Sequence, residues 1–433
     1  MNRNLSGLAL CCVFATACAA AAESPQQMID PVLAQVTAWR RDFHQHPELS
    51  NREVRTSAVV AARLGKLGLD VRTGIAHTGV TAILHGGKPG PRLAIRADMD
   101  ALPVTEEVDL PFASTAKGEY LGRTVGVMHA CGHDAHTAML LGIAEAMAKI
   151  RKDIPGEVMF VFQPAEEGAP PGEEGGAPLM VKDGVFRDFT PDAVFGMHVV
   201  SALGVGDVAV REGGAMASSD TFRIVVHGRQ SHGATPWKGI DPIVTAAEIV
   251  TSAQTIVSRQ LDINKDPAVV TFGLFNGGQR FNIVPDRAEL QGTIRAFDPA
   301  MREQALASLR TIAEHVAAAN GATVEADIPM PGSNPVNYND PALTRRVRAS
   351  LETALGKAHV GEAQRWTASE DFPQLGLSVP APSVYFFVGA TPAGQDPATA
   401  PTNHSPRFFL DEGALRVGSV AMLQAALDYL GYH

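Results

Sequence analysis

Cysteine is nearly absent from this chain. Of its 433 residues four are cysteine, and three of those (Cys11, Cys12 and Cys18) crowd the N-terminal end. Beyond residue 22 only Cys131 remains, so no intramolecular disulfide can staple the rest. A basic excess is missing too. The net charge of -10 excludes the surface that a non-specific nucleic-acid binder needs to displace counterions from phosphates. No apolar run reaches the roughly 20 residues of a membrane-spanning helix, and no low-complexity tract interrupts the chain. The Gly-x-Ser-x-Gly elbow of serine hydrolases does not occur. What remains is an ordinary globular composition, 45% hydrophobic and 19% charged, long enough for a large core and two domains.

Residues 1–22 have the build of a signal peptide. Arg3 supplies a positive start, residues 8–21 a short apolar run, and Ala20-Ala21-Ala22 a small-residue cleavage site. The expectation is an exported protein, periplasmic or secreted. Ala15-Thr16-Ala17-Cys18 offers lipid anchoring at Cys18 as the alternative, although the large aliphatic residue expected three places before the cysteine is missing. In an oxidising compartment a lone thiol is a liability unless it is buried or bound to something. The surroundings of Cys131 therefore become the informative question.

Short apolar runs at 92–96, 158–162 and 193–197 alternate with helical patterns at 30–43, 56–67 and 134–151. That alternation predicts an α/β domain with a mostly parallel, buried sheet sandwiched by helices. From residue 213 the texture changes. Strand patterns at 221–227, 269–275 and 288–297 surround long helix patterns at 241–259 and 299–319, which predicts a compact α+β unit with an antiparallel sheet and two helices. The first texture returns near residue 329 and ends in a helix at 413–430. The predicted organisation is a catalytic domain of residues 23–212 and 327–433, with residues 213–326 inserted as a smaller domain.

The richest chemistry lies in Met128-His129-Ala130-Cys131-Gly132-His133-Asp134-Ala135-His136-Thr137. A thiolate and an imidazole two positions apart at a helix start can face one cation, and Gly132 lets the backbone turn between them. Transition metals accept such mixed sulfur and nitrogen ligands. Further candidates fall at predicted strand ends, where α/β sheets place active sites: Asp98 and Asp100 after one strand, Glu166 and Glu167 after another, His198 at the end of a third. Neighbouring side chains diverge, so one glutamate can serve a metal ion while the other takes a proton from water beside it.

Taken together, these motifs make the sequence resemble the two-metal aminoacylase and carboxypeptidase family, in the branch of hippurate hydrolases, N-acyl-amino-acid amidohydrolases and auxin-conjugate hydrolases. Matching stretches run from Trp39-Arg40-Arg41-Asp42-Phe43-His44 to Asn403-His404-Ser405-Pro406, with 96–103, 128–137, 162–168 and 286–295 the most specific. The resemblance implies metal-dependent hydrolysis of N-acyl or N-aroyl amino acids and related small amides. Cys131, His133, Glu167, His198 and His404 match the ligands of two divalent metal ions, for which Zn, Mn, Co or Ni all suit the donors. Glu166 matches the general base, and Asp100 the acid that orients a ligand imidazole, by analogy His133. On the inserted domain His232 matches a histidine that polarises the scissile carbonyl, often across a dimer interface. Asn282 and Arg295 match residues that hold the substrate's carbonyl or carboxylate. A homodimer through the inserted domain is implied as well.

Two departures stand out. Relatives carry Pro-His after the small-domain histidine, where this chain has Pro236-Trp237. The stretch 169–176 is longer than usual, and its Glu173 and Glu174 read as solvated. A dipeptidase or carboxypeptidase on the same scaffold is the competing enzyme. A non-catalytic metal- or ligand-binding relic is disfavoured by the complete set of ligands and base.

Overall fold

The computed structural model describes residues 23–432, so residues 1–22, where a signal peptide or lipid-anchored Cys18 is expected, lie outside the described residues. The larger sheet has eight strands in the spatial order Asp70–Ile75, Gly79–His85, Pro155–Gln163, Lys88–Asp98, Ala193–Gly204, Ser383–Thr391, Val208–Val210 and Val360–Glu362. Its central pairings are parallel and the first two are antiparallel. Successive side chains point to opposite faces. Phe160, Phe195 and Phe386 meet the layer containing the helices Leu33–Gln45, His133–Lys149 and Gly413–Leu430. Val161, Val194 and Tyr385 meet the short helices Gly176–Lys182 and Pro373–Ser378 on the other side. The sheet is thus sandwiched, as its apolar runs predict.

The smaller sheet is antiparallel, in the order Ala268–Gly277, Arg287–Ala296, Asp220–His227 and Thr323–Asp327. Phe222, Ile224, Leu290 and Ile294 pack against Ile249 and Leu309 of the helices Pro242–Thr255 and Pro299–Ala319. Both helices begin with Asp-Pro, as does Pro341–Leu355 in the larger part. In each, the aspartate accepts a backbone N–H of the first turn, and the proline has no N–H to leave unsatisfied. Each such cap contributes about 1 kcal/mol. The chain enters this unit through Gly213–Met216 and returns through Asn337–Asn339, and these two segments pair with each other.

Some expectations need correction. The helix expected at 30–43 runs over Leu33–Gln45, and a separate short helix, Pro25–Ile29, precedes it. The strand expected to end at Met197 continues to Gly204, because residues 198–204 keep pairing with the neighbouring strand. His198 is therefore inside a strand rather than at its end. No helix among the described residues is long and apolar enough to cross a membrane.

Candidate metal centre

Cys131 and His133 flank Gly132, which precedes the helix His133–Lys149 with φ +89°. A Cβ at this position would come within 2.3 Å of Val199 Cγ2. Only glycine tolerates both the left-handed backbone and the close approach. The turn aims Cys131 Sγ to within 3.3 Å of His198 Nε2 and 3.2 Å of His404 Nε2. His404 Nε2 is 3.1 Å from Glu167 Oε1, and His133 Nε2 is 3.8 Å from the same oxygen. All five expected ligands converge, from widely separated parts of the chain. Left-handed backbone recurs at the site: the ligand candidate His404 has φ 72°, and Ala165, just before the glutamate pair, has φ 51°. Such conformations cluster at functional sites.

Hydrogen bonds set which nitrogen of each ring faces the cluster. His198 donates its Nδ1–H to the Val199 carbonyl at 2.7 Å, leaving the Nε2 lone pair toward the sulfur. His133 donates from Nδ1 to the Asp100 carbonyl at 2.9 Å, with the Asp100 carboxylate 3.3 Å away. Partners of this kind orient metal-binding imidazoles. The Asp100 carboxylate has a second task. It accepts the backbone N–H groups of Glu166 and Glu167, both at 3.1 Å, and the Ser50 hydroxyl at 2.7 Å.

The electrostatics ask for a cation. Burial disfavours a charged His133, yet Asp98, Asp100 and Glu167 outweigh it and push this imidazole up to about 10. Burial and the carboxylates of Glu167, Glu166 and Asp98 push the Cys131 thiol well up. A bound metal ion reverses that second effect, since a coordinating thiol loses its proton. His198 is held well below the usual histidine range, chiefly by burial, and so keeps its lone pair. His133 Nε2 and Glu167 Oε1 are buried without a hydrogen-bond partner, which is costly unless something else satisfies them. Thiol, imidazoles and carboxylate fit divalent transition metals such as Zn, Mn, Co or Ni.

Comparison with known proteins agrees with this geometry. Residues 94–428 match the model of the peptidase family M20/M25/M40. The chain belongs to this family. Among its M20 relatives, thermostable carboxypeptidase 2 of Saccharolobus solfataricus is 39% identical, covering 90% of this chain and 94% of that protein. The N-acyl-L-amino acid amidohydrolase of Geobacillus stearothermophilus is 40% identical, covering 77% of this chain and 89% of the relative. A solved M20 structure, the Bacillus subtilis YXEP protein, described as a dinuclear metal binding peptidase, superposes with a TM-score of 0.73. It is 33% identical, covering 93% of this chain and all of that one. This M20 chain is accordingly a metal-dependent hydrolase of amide bonds.

The remaining expected residues of the M20 chain lie elsewhere. His232 and Asn282 meet on a small ribbon, where Ser231–His232 pairs with Ile283–Val284 and Gly233 N–H donates to the Asn282 carbonyl at 2.9 Å. His232 is exposed, and its Nδ1 accepts from Ala234 N–H at 3.0 Å, which leaves Nε2 to carry the proton. Asn282 Oδ1 is buried without a partner. Arg295 is half-buried and donates only to the Ser218 carbonyl, at 3.3 Å, with no ion pair among the described residues. None of these three lines the cavity at Cys131. Trp237 is 76% exposed. Glu173 and Glu174 are exposed, as expected, and Glu173 also accepts from Arg52 at 2.6 Å and Asn51 at 3.0 Å, which ties down the long loop.

Several residues beside the centre escaped the sequence reading. Arg96 is fully buried and donates to Asp98 at 2.6 Å, Glu370 at 2.9 Å, Asp371 at 3.2 Å and Gln163 at 2.9 Å. Asp98 also accepts from His136 Nδ1 at 2.6 Å, while His136 Nε2 accepts the Val199 N–H at 2.9 Å. Both nitrogens of His136 are thus engaged, so it braces Asp98 and is not free to bind metal. The available signal was a charged pair at alternate positions of an otherwise apolar strand, Arg96 and Asp98, which point to one face.

Proposed function

We propose that this chain hydrolyses the amide bond of N-acyl and N-aroyl amino acids, using two divalent metal ions, and releases a carboxylic acid and a free amino acid. The observation that carries the reading is the setting of Glu166. It lines a cavity of about 680 Å³ together with Cys131, Glu167, His198 and His404. Cys131, His133, Glu167, His198 and His404 hold the ions, which when bound polarise the amide carbonyl and water. Glu166 takes a proton from the attacking water and passes it to the leaving nitrogen. Burial and the nearby carboxylates of Glu370, Glu167 and Asp371 push Glu166 well above the usual carboxylate range, outweighing Arg96, which makes its ionised form a stronger base.

The cavity is also lined by the apolar side chains of Val200, Leu203, Met216, Trp366 and Phe387. It suits an aryl or alkyl acyl group, and Trp366 stands edge-on to His198 with ring centroids 5.7 Å apart. Arg295, free of acidic partners, suits the substrate carboxylate through two parallel hydrogen bonds. His232 suits the scissile carbonyl through Nε2–H, with Asn282 beside it. These three act from the inserted unit, residues 213–326, brought to the cavity by movement of that unit or by a second copy. A homodimer through this unit is supported by its bare edge strand Ala268–Gly277. Val269, Leu274 and Phe275 are exposed along that strand, and Phe281 nearby is 97% exposed. Unpaired apolar edges are normally covered. Export after cleavage near residue 22 completes the proposal.

The test is amine release from N-acetyl, N-benzoyl and indole-acetyl amino acids and from dipeptides, alongside sedimentation of the purified chain. Cleavage of the acyl and aroyl amino acids supports the proposal. Cleavage of dipeptides alone transfers the activity to the carboxypeptidase reading that the archaeal relative favours. A monomer at assay concentration removes the dimer.

A further inference from the structure

Between them, two buried carboxylates hold three consecutive backbone amides of the glutamate turn. Asp100 accepts the N–H groups of Glu166 and Glu167. The preceding N–H, that of Ala165, is accepted at 2.9 Å by Glu53. Glu53 is fully buried, and the same oxygen accepts the Asn51 N–H at 3.0 Å while its other oxygen accepts the Thr78 hydroxyl at 2.5 Å. Ala165 is the residue in left-handed backbone, φ 51°. For a residue with a Cβ this conformation persists only where the surroundings over-determine it. Burying a carboxyl is itself costly, and Glu53 makes no ion pair among the described residues. Its acceptors are spent wholly on this turn and on the two loops that flank it.

We infer that Glu53 is a positioning residue for the hydrolysis, holding the Ala165 turn so that Glu166 and Glu167 diverge, one toward the reacting water and the other toward metal. The inference rests on the proposed roles of those two glutamates. Glu53 touches neither substrate nor metal. It acts through one main-chain hydrogen bond to the residue just before the base, while Asp100 fixes the next two amides. Displacement of a catalytic group by about 1 Å costs up to a hundredfold in rate, so a methylene removed from Glu53 is enough to be felt.

The experiment compares wild type, Glu53→Asp, Glu53→Gln and Glu166→Ala in the full chain loaded with Mn or Zn. It measures kcat and KM on N-benzoylglycine or the best substrate of the panel, metal retention against a chelator, and hydrogen–deuterium exchange over residues 164–168. For Glu53→Asp the expected result is kcat lower by about tenfold or more with KM within about threefold, easier loss of metal and faster exchange at the turn. Glu53→Gln, whose amide oxygen still accepts both N–H groups, returns kcat to within about threefold of wild type. Wild-type kcat and metal retention in folded Glu53→Asp, even with a lowered Tm, overturn the inference. Where Glu53→Asp does not fold, Glu53→Gln decides, and a tenfold loss of kcat in it contradicts an acceptor role. Full turnover by Glu166→Ala instead sinks the base assignment, and so separates that failure from this one.

Discussion

The sulfur of Cys131 and Nε2 of His404 lie 3.2 Å apart, although 273 positions separate them in the chain. The contact closes the site. The His404 N–H donates to the Ala130 carbonyl at 2.8 Å, and the Asn403 side chain donates to the Cys131 and Val199 carbonyls. Cys131 sits where one sulfur meets two imidazoles. Replacing it with serine keeps the volume but removes the soft, readily ionised donor. Cys131→Ser is expected to purify with less metal per chain and to lose activity by about a hundredfold or more. Elemental analysis beside turnover checks both, and normal metal content with normal rate would remove Cys131 from the ligand set.

Gly132 makes a second prediction. Gly132→Ala must place a Cβ against Val199 in left-handed backbone. The expected cost is about 1–3 kcal/mol of stability, with weakened metal retention because Cys131 and His133 flank the strained residue. Denaturant unfolding and chelator competition measure the two effects. A variant as stable and as metal-retentive as wild type would show that the turn is not required.

A third concerns pH. His44 is buried between Asp134, 2.8 Å from Nδ1, and Glu106, 3.0 Å from Nε2. Burial lowers its pKa, but Asp134 and Glu106 outweigh it, and the net shift is upward from the ordinary 6.5. The folded chain thus keeps a proton that the unfolded chain releases first. The stabilisation is complete below 6.5 and fades as pH rises through the raised folded value. Removing hydrogen bonds to a charged group costs about 1.5–3 kcal/mol, so His44→Gln is expected to lose that much at acidic pH and less in alkaline buffer. Urea unfolding of metal-loaded protein at two pH values tests this. A deficit that grows with pH would reverse the sign.

The fourth concerns the acyl group. Trp366 lines the cavity and packs edge-on against His198 and Phe387. Trp366→Ala removes contact area that an aryl group uses and an acetyl group barely reaches. The ratio of kcat/KM for N-benzoyl over N-acetyl substrates is expected to fall by about tenfold or more. An unchanged ratio would put the acyl group elsewhere in the cavity.

Much of this was legible in the sequence, for reasons that also explain what was not. Asp298-Pro299 and the apolar periodicity after it mark the helix Pro299–Ala319 because cap, proline and core face are all local signals. Cys131 and His133 were visible through their density and spacing. His404 was visible only by resemblance, since a histidine in a polar tail has no local feature that assigns it. Glu53 was invisible: in Asn51-Arg52-Glu53 it reads as a solvated loop acid, and its partners Thr78 and Ala165 are 25 and 112 positions away. The exposure of Glu173 was legible, but not its ion pair with Arg52, 121 positions distant. Local chemistry survives in sequence order, whereas burial created by distant packing does not.

The account turns on Glu166 as the proton carrier beside metal-holding side chains. The most direct measurement is turnover and metal content together for wild type and Glu166→Gln, each after chelation and after restoring Mn or Zn, on the best N-acyl amino acid. Wild type is expected to fall silent with chelator and recover with metal, while Glu166→Gln keeps its metal yet loses at least about a hundredfold in kcat. A Glu166→Gln enzyme that turns over at the wild-type rate, or a wild type indifferent to chelation, would contradict the account.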